Sequence, residues 1–520
     1  MAKIVLINPK FEISFFGYEH ALRLLGKRAN MPVAALPLLA ALTPAEHEVT
    51  LIDENVETID FARCARADIV GVTGMIVQRH RMREILTELK RRQVYTVVGG
   101  PWITVSEGYF DGLADVVFLG EAEETWPRFL ADWQEGRAAR RYQQSEKTDM
   151  TRVPPPRLDL LKTQHYAFGS IQFSRGCPFT CEFCDIIVMF GRRPRLKTAA
   201  QIIAELEVLR AHDQIHVFIV DDNLIGNKKA IKGVLRELVA WQRANGYPIV
   251  FTTEASIDLA DDEELMGLMV DANITCVFVG IESPNEASLR ETRKLQNVRP
   301  GGTMIEKVHR IQLAGMEVFA GMIVGFDNDD ETAFEAHRNF IEAARINIAN
   351  VGMLSAIPST PLHARLAAAN RLDLADPPAY GTNVVPLQMS REALSNGYVQ
   401  LMAQLYEPQA FFARLDKLYL EGRIEVDAAW RRYSAQQRWR GHVRSLKTWL
   451  IAFGCLALVL TRVPEKSLRT IYRRHVWRAL LARRNPFVAM VYAIRCAIHY
   501  HMHCLVQTLT TRERPLVNMF

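Results

Sequence analysis

The sequence predicts an α/β protein in three parts: a doubly wound parallel-sheet domain over residues 1–140, a TIM-like partial (β/α)6 barrel over 166–375 and a basic, mainly helical C-terminal domain over 376–520. Three observations predict it. Short apolar runs of strand length alternate with amphipathic segments of helix length as far as Leu374, which is the pattern of parallel sheets covered by helices. A polar, proline-rich stretch containing "VPPPRLD" interrupts the alternation and marks a linker over 141–165. Beyond Leu374 the alternation stops, and the sequence turns helical and rich in Arg, Trp and Tyr.

In the first part the strands are "KIVLIN", "VTLID", "DIVGV", "YTVVGG" and "DVVFLG", with helical segments such as Gln78 to Arg92 between them. Doubly wound sheets bind ligands beyond the carboxyl ends of their strands, so Asn8, Asp53, Thr73, Gly74, Gly99, Gly100, Gly120 and Glu121 form a candidate site. A dinucleotide site needs GxGxxG after the first strand. The sequence there is "NPKFEISFFG", which argues against a nicotinamide cofactor.

In the second part "GSIQFS", "IHVFIVDD", "IVFTTEAS", "TCVFVGIES", "EVFAGMIVGF" and "NVGMLSA" are the strands, with helices such as Ala199 to Ala211 and Asn227 to Ala244 between them. Parallel barrels carry their chemistry at the C-terminal ends of the strands. There the sequence places a cysteine loop after strand one, Asp221, Asp222 and Asn223 after strand two, Glu254 after strand three, Glu282 and Ser283 after strand four, and Gly325 to Asp327 after strand five. Each has a structural explanation on its own, because Asp and Asn cap helices and Gly makes turns. Their recurrence around one loop points to a shared ligand.

That loop, "FSRGCPFTCEFCDI", holds three of the eight cysteines, Cys177, Cys181 and Cys184. A structural zinc wants four protein ligands, commonly in two pairs, and no further cysteine occurs until Cys276. Three thiolates suit an iron-sulfur cubane with one iron left open for a substrate. "FGRRPRLKT", with Arg192, Arg193, Arg195 and Lys197, follows closely; its guanidinium forks suit a carboxylate or phosphate, a solvated loop is at least as well supported, and the four are not placed in the site.

The net charge of +5 is concentrated at one end: residues 421–520 hold 18 Lys and Arg against 5 Asp and Glu. Such a surface either meets phosphates or is simply solvated. The apolar run Trp449 to Leu460 would span about 18 Å as a helix against a hydrocarbon core of about 30 Å. It is therefore expected not to cross a bilayer, and to lie in the interface between Lys447 and Arg462 or be buried in a small domain. "CAIHYHMHC" places Cys496, His499, His503 and Cys504 near one helical face, where packing is favoured over a metal site. The opening "MAKIVLINPKF" lacks the features of a secretory signal, so a reducing cytoplasm is expected.

CxxxCxxC with Phe183 before the last cysteine resembles the signature of the radical S-adenosylmethionine (SAM) enzymes. The preceding domain, with "GGP" at Gly99 to Pro101 and "LGEAEET" from Leu119, resembles the Rossmann-like, cobalamin-binding domain of their fused members. "IDEN", "FIVDDNLIGNKKA", "GIES" and "MLSAIPSTPLHARL" extend the resemblance over most of the chain, to a family that includes the bacterial hopanoid methylases. The resemblance implies a [4Fe–4S] cluster on Cys177, Cys181 and Cys184. It implies SAM contacts from Phe183, from Asp221, Asp222 and Asn223 in place of a Gly-Gly-Glu motif, and from Glu254, Glu282, Ser283 and Gly325. Cobalamin would sit at the strand ends of the first domain. The DxHxxG segment that supplies a lower cobalt ligand in many cobalamin proteins is missing, and His20 is out of its frame, so no protein histidine is expected on cobalt.

The implied reaction is methylation of an unactivated carbon of a hydrophobic substrate, with a hopanoid or other polycyclic lipid favoured. A flavodoxin or ferredoxin would supply electrons, the C-terminal domain would touch the inner face of the membrane, and no nucleic acid is expected as a partner. Two alternatives stand beside it: a cyclisation or rearrangement without methyl transfer, and a cobalamin-dependent sensor with a structural cluster.

Overall fold

The computed structural model describes residues 1–436 and 438–511. Strands β1 (Lys3–Asn8), β2 (Glu48–Asp53), β3 (Ile69–Thr73), β4 (Thr96–Gly99), β5 (Val116–Leu119) and β6 (Arg141–Gln143) form one parallel sheet in the order β2-β1-β3-β4-β5-β6. The chain reverses direction across the sheet between β1 and β3, which opens a crevice at their carboxyl ends. Helix Arg79–Arg91 covers one face by burying Met82, Ile85, Leu86 and Leu89, spaced to fall on a single helical stripe. β6 occupies the start of the expected linker. Only Tyr142 of its three residues is buried, stacked on Phe118 at 5.3 Å, so the sequence carries too short an apolar pattern to reveal it.

The second sheet contains β7 (Gly169–Ile171), β10 (His216–Ile219), β11 (Val250–Glu254), β12 (Ile274–Glu282), β13 (Glu317–Val324) and β14 (Ala349–Met353) in the order β14-β13-β12-β11-β10-β7, all parallel. Between β7 and β10 the short strands β8 (Ser174–Arg175) and β9 (Arg195–Leu196) pair antiparallel and bracket the cysteine loop. Helices Ala199–Ala211 and Lys228–Ala244 lie where the sequence places them. Thr198 and Gln201 cap the first reciprocally, and the Asn227 side chain accepts from Ala230 N–H at the start of the second.

Six strands do not close a barrel, and residues 13–32 run across the open seam. On the β7 side, Ala167 and Phe168 N–H donate to Asn30 C=O. On the β14 side, Phe15 stacks on Tyr406, whose hydroxyl donates to Ala349 C=O. Helix α1 (Glu19–Leu24) within this strap is clasped by the C-terminal domain: His501 Nδ1 accepts from His20 N–H, and Arg462 donates to the carbonyls of Arg23 and Leu24. The first domain therefore contributes directly to the wall of the second.

The C-terminal part comprises helices α2 (Arg391–Leu405), α3 (Pro408–Asp416), α4 (Arg438–Arg462), α5 (Lys466–Arg483) and α6 (Pro486–Thr511). α6 is the central helix, with Tyr492, Cys496, Ala497 and Met502 fully buried. α4 corrects the expectation drawn from its 12-residue apolar run. Residues His442–Arg462 form 21 residues of one helix, long and apolar enough to cross a membrane by length and composition. The run is short because Lys447 interrupts it, whereas the helix continues past that lysine.

Candidate active site

The cysteine loop is fixed from three sides. Asp221 accepts from Phe173 N–H at 2.7 Å and from Ser174 N–H and Oγ–H at 2.8 and 2.6 Å, so both carboxylate oxygens anchor the strand that enters the loop. Asp222 accepts from Gly176 N–H at 2.8 Å. Gly176 has φ +94°, and a Cβ there would meet Gly191 C=O at 2.9 Å, so only glycine fits. Beyond Cys181, Glu182 is held by Arg293 and Arg365. From the first domain, Glu121 pairs with Arg175 at 2.9 Å and Arg195 at 2.8 Å, one on each strand of the ribbon. Arg195 is therefore a structural anchor and not a solvated loop residue. Lys197 is buried against Glu205.

Two amides point at the thiols. Asn223 Nδ2 lies 4.0 Å from Cys177 Sγ and Gln296 Nε2 lies 3.6 Å from Cys181 Sγ. Gln296 is buried, and its Oε1 has no hydrogen-bond partner among the described residues. Lys294 donates to Glu282 at 2.6 Å and lies 5.9 Å over the Phe183 ring. Burial disfavours its charge, but Glu282 and the neighbouring thiols hold the Lys294 pKa above its usual value. Glu254 is pushed up to about 8 by burial and by Asp222 and Asp221, so it is largely protonated at neutral pH. Burial likewise lifts Asp221 to about 7 and Asp222 to about 6.

Below these residues the strands alternate in a consistent way. Val217, Ile219, Phe251, Val277 and Val279 are fully buried against the surrounding helices. Their neighbours Phe218, Thr252, Phe278 and Phe319 face the barrel interior and keep accessible surface. Inside a barrel that surface faces the lumen, so the barrel holds a chamber whose walls include Phe218, Phe278 and Phe319 beside Ser170, Glu254, Glu317 and Asn350, which the strand register puts on the same face. Phe16 of the seam-crossing strap joins it, 5.6 Å from Phe278. Arg495, ion-paired with Glu317 at 2.7 Å and stacked over Phe319 at 5.1 Å, lies at its base.

Comparison with known proteins agrees with this arrangement. Residues 29–130 match the B12 binding domain, 171–341 the Radical SAM superfamily and 360–514 a domain of unknown function. An uncharacterised methyltransferase of Synechocystis sp. is 38% identical over 96% of this chain and 91% of its own length. The hopanoid C-2 methylase of Rhodopseudomonas palustris is 33% identical, over 80% of this chain and 79% of the relative. The chain belongs to the cobalamin-binding radical SAM methyltransferase family. Among solved structures, the cobalamin-dependent SAM radical enzyme OxsB shares the fold with TM-score 0.60 and 14% identity, covering 99% of this chain and 81% of that one. The radical SAM methyltransferase TsrM of Kitasatospora setae, with cobalamin and a [4Fe-4S] cluster, follows at TM-score 0.57 and 19% identity over 76% and 85% of the two chains.

For a radical SAM methyltransferase, the loop fits its cluster. Three thiols stand on one loop, Cys181 buried and Cys177 and Cys184 half-buried, with amide donors beside Cys177 and Cys181. Among the described residues no three His, Cys, Asp or Glu side chains converge on a single ion position, whereas three thiolates that each serve a different iron stand further apart than ligands of one ion. The unpartnered Gln296 Oε1 and the Glu282–Lys294 pair lie on the same side and suit a zwitterionic ligand such as the methionyl end of SAM.

The remaining residues expected to contact SAM divide. Asn223 exchanges hydrogen bonds with Ser256 as well as facing Cys177. Asp221 and Asp222 act through the loop backbone. Ser283 is fully buried and lines a separate crevice with Asn285, Asn328 and His337, whose walls include none of the cysteines. Gly325, at φ +100°, makes a turn in which its N–H donates to Asp329.

On the cobalamin side, three of the eight expected residues have their side chains committed elsewhere. Asn8 donates to Asp53 at 3.1 Å, Asp53 accepts from Tyr166 Oη–H at 2.8 Å, and Glu121 is paired with arginines. Gly74, Gly99 and Gly100 are required by close packing, since a Cβ would meet Met82 Sδ at 2.7 Å, Phe118 Cβ at 3.3 Å and Thr73 Oγ1 at 2.4 Å respectively. Gly120, at φ +73°, opens onto free space. Trp102, after the β4 end, is buried with no partner for its Nε1–H among the described residues. This open glycine and the orphaned donor fit a large planar ligand with acceptor groups. The His20 ring lies 5.5 Å from the His501 ring of the C-terminal domain.

Lys294, Gln296 and Arg175 were not legible as site residues. "ETRKLQN" has no motif, and Gln296 reaches a cysteine 115 residues away. The Cys496, His499, His503 and Cys504 set is packing: His499 accepts from or donates to Tyr472 Oη at 2.7 Å among Phe411 and Phe412, and His503 meets Gln507.

Proposed function

We propose that this radical SAM methyltransferase transfers a methyl group to an unactivated carbon of a hydrophobic substrate, with a hopanoid or other polycyclic lipid as the favoured class. The observation that carries the reading is the group of lumen-facing aromatics below the cysteine loop, Phe218, Phe278 and Phe319, with Phe16 of the seam-crossing strap against Phe278. A rigid hydrocarbon body buries its surface there at about 25 cal/mol per Å², and the charge of Arg495 at the base is neutralised by Glu317. The hopanoid C-2 methylase relative supports the same class.

When bound, the cluster with SAM supplies hydrogen-atom abstraction, and cobalamin supplies the methyl group. The chain's own residues hold the parts in place. Asp221 and Asp222 fix the cysteine loop, Glu121 fixes that loop to the cobalamin-binding domain, Lys294 and Gln296 offer charge and acceptor to SAM, and the strap keeps water from the chamber. No proton transfer is asked of the site, in keeping with a Glu254 that is mostly neutral. A flavodoxin or ferredoxin supplies electrons, and the enzyme works in the cytoplasm, at the inner face of the membrane.

Comparing lipid extracts from cells with and without the gene by mass spectrometry tests the substrate class: a product heavier by one CH2 that depends on the gene is expected. Anaerobic turnover separates methyl transfer from rearrangement. S-adenosylhomocysteine should form in step with 5'-deoxyadenosine, and 5'-deoxyadenosine alone would assign a cyclisation or rearrangement.

A further inference from the structure

The chain exposes an apolar stripe on two helices that carry no acidic residue; Glu465, in the turn between them, is the one acidic residue of the hairpin's described part. On α4, Leu446, Leu450 and Phe453 are 62%, 65% and 50% exposed. With the exposed Ala457 they follow the i, i+4, i+7, i+11 spacing of one helical face. The opposite face, with Ala452 and Val459 fully buried, packs along α6. On α5, Trp477 and Leu481 are 61% and 63% exposed. Soluble proteins rarely leave such a contiguous apolar surface without an occupant.

Charge selects the occupant. α4, α5 and α6 contain no Asp or Glu. Lys447, Lys466, Arg473, Arg474 and Arg484, on the same two helices or at their ends, are all exposed. Thr448 to Thr461 carries no charge at all, so the cations flank the apolar section. A second protein surface would need an unusual acidic rim to match, whereas an anionic bilayer presents acyl chains and phosphates at the depths required.

We propose that the α4–α5 hairpin docks on an anionic phospholipid bilayer, with α4 lying in the interfacial plane. α4 is long enough to span, yet its attachment along α6, which is itself buried in the domain, keeps one face on protein and excludes a lipid-surrounded crossing. Leu446, Leu450 and Phe453 enter the acyl boundary, and the flanking cations meet phosphates. Docking would bring an apolar substrate to the chamber, and for that purpose it rests on the function proposed above. Its test reads vesicle binding and no turnover, so the two readings fail separately.

The test is co-sedimentation of the anaerobically purified full chain with vesicles of phosphatidylcholine alone or containing phosphatidylglycerol. Binding more than about tenfold tighter to the anionic vesicles, and weakened by salt, is expected. The double variant Leu450→Glu/Phe453→Glu should lose at least about tenfold of that binding while keeping the cluster's visible absorbance. Arg473→Glu/Arg474→Glu should lose the preference for anionic lipid. Equal binding to both vesicle types, no binding, or unchanged binding by both variants overturns the proposal. So does a wild-type dimer that Leu450→Glu/Phe453→Glu converts to monomer, since the stripe would then be an interface between two copies.

Discussion

The Glu121 carboxylate at the end of β5 lies 2.9 Å from the Arg175 guanidinium, joining the cobalamin-binding sheet to the strand that enters the cluster loop. Arg195, on the returning strand, pairs with the same carboxylate, and Glu121 also accepts from Thr148 N–H at 3.1 Å. Glu123 pairs with Arg175 as well, at 2.5 Å, so two neighbouring carboxylates set where the two cofactor-binding halves meet.

Glu121→Gln takes away the carboxylate of the half-buried Arg195 and one of the two carboxylates, with Glu123, that face the buried Arg175. Removing one partner of a buried pair costs about 3–5 kcal/mol, so urea denaturation of the anaerobic protein should show a large loss of stability. Glu88→Gln, which breaks surface pairs with Arg91 and Arg92, should leave the midpoint nearly unchanged.

Cys181→Ala is expected to abolish the cluster and turnover together, read as iron content and visible absorbance after anaerobic reconstitution. Cys455→Ala, on the half-buried thiol of α4, should retain both. Zinc in place of iron and sulfide, or full turnover by Cys181→Ala, would refute the assignment.

Gln296→Leu removes an N–H donor from Cys181 Sγ. Hydrogen bonds to cluster sulfurs stabilise the more negative, reduced state, so the midpoint potential should fall by on the order of 50 mV. A redox titration followed by electron paramagnetic resonance reads it directly, and an unchanged midpoint would show that the amide serves packing alone.

Acid should destabilise the C-terminal domain. Burial pulls His499 and His501 down to about 3, against about 6.5 in the unfolded chain. The folded state then binds fewer protons than the unfolded state throughout that window, so stability is lost as pH falls below about 6.5. At about pH 5 each histidine accounts for about 2 kcal/mol of that loss. The difference in unfolding free energy between about pH 7.5 and about pH 5 should shrink by about 2 kcal/mol in His499→Phe.

Phe278→Trp narrows the chamber where Phe16 and Phe278 meet. Product formation from a bulky substrate should drop by more than about tenfold, while cleavage of SAM without substrate stays at the wild-type rate. Equal loss of both would place Phe278 outside the substrate path.

The strand ends of both sheets were readable because each strand is a compact apolar run bounded by turn residues, as in "HVFIVDDN" before Leu224 and "VFTTEAS" before Ile257. The cluster loop was readable because its three thiols share eight positions. What escaped was decided by contacts distant in sequence. Glu121 has the right position for a ligand but spends its charge on Arg175 and Arg195, and Lys294 gains meaning only once the turn after β12 brings it over Phe183. β6 escaped because one tyrosine among charged neighbours carries no periodicity.

Because residues 13–32 stop the seam of the barrel, the first domain is not a detachable cartridge. A chimera that grafts a foreign cobalamin-binding domain onto this barrel would import a foreign panel at Phe16, and excising the first domain would unzip the chamber along its length. Substrate choice is thus inherited jointly by two parts of the gene that look separable on paper.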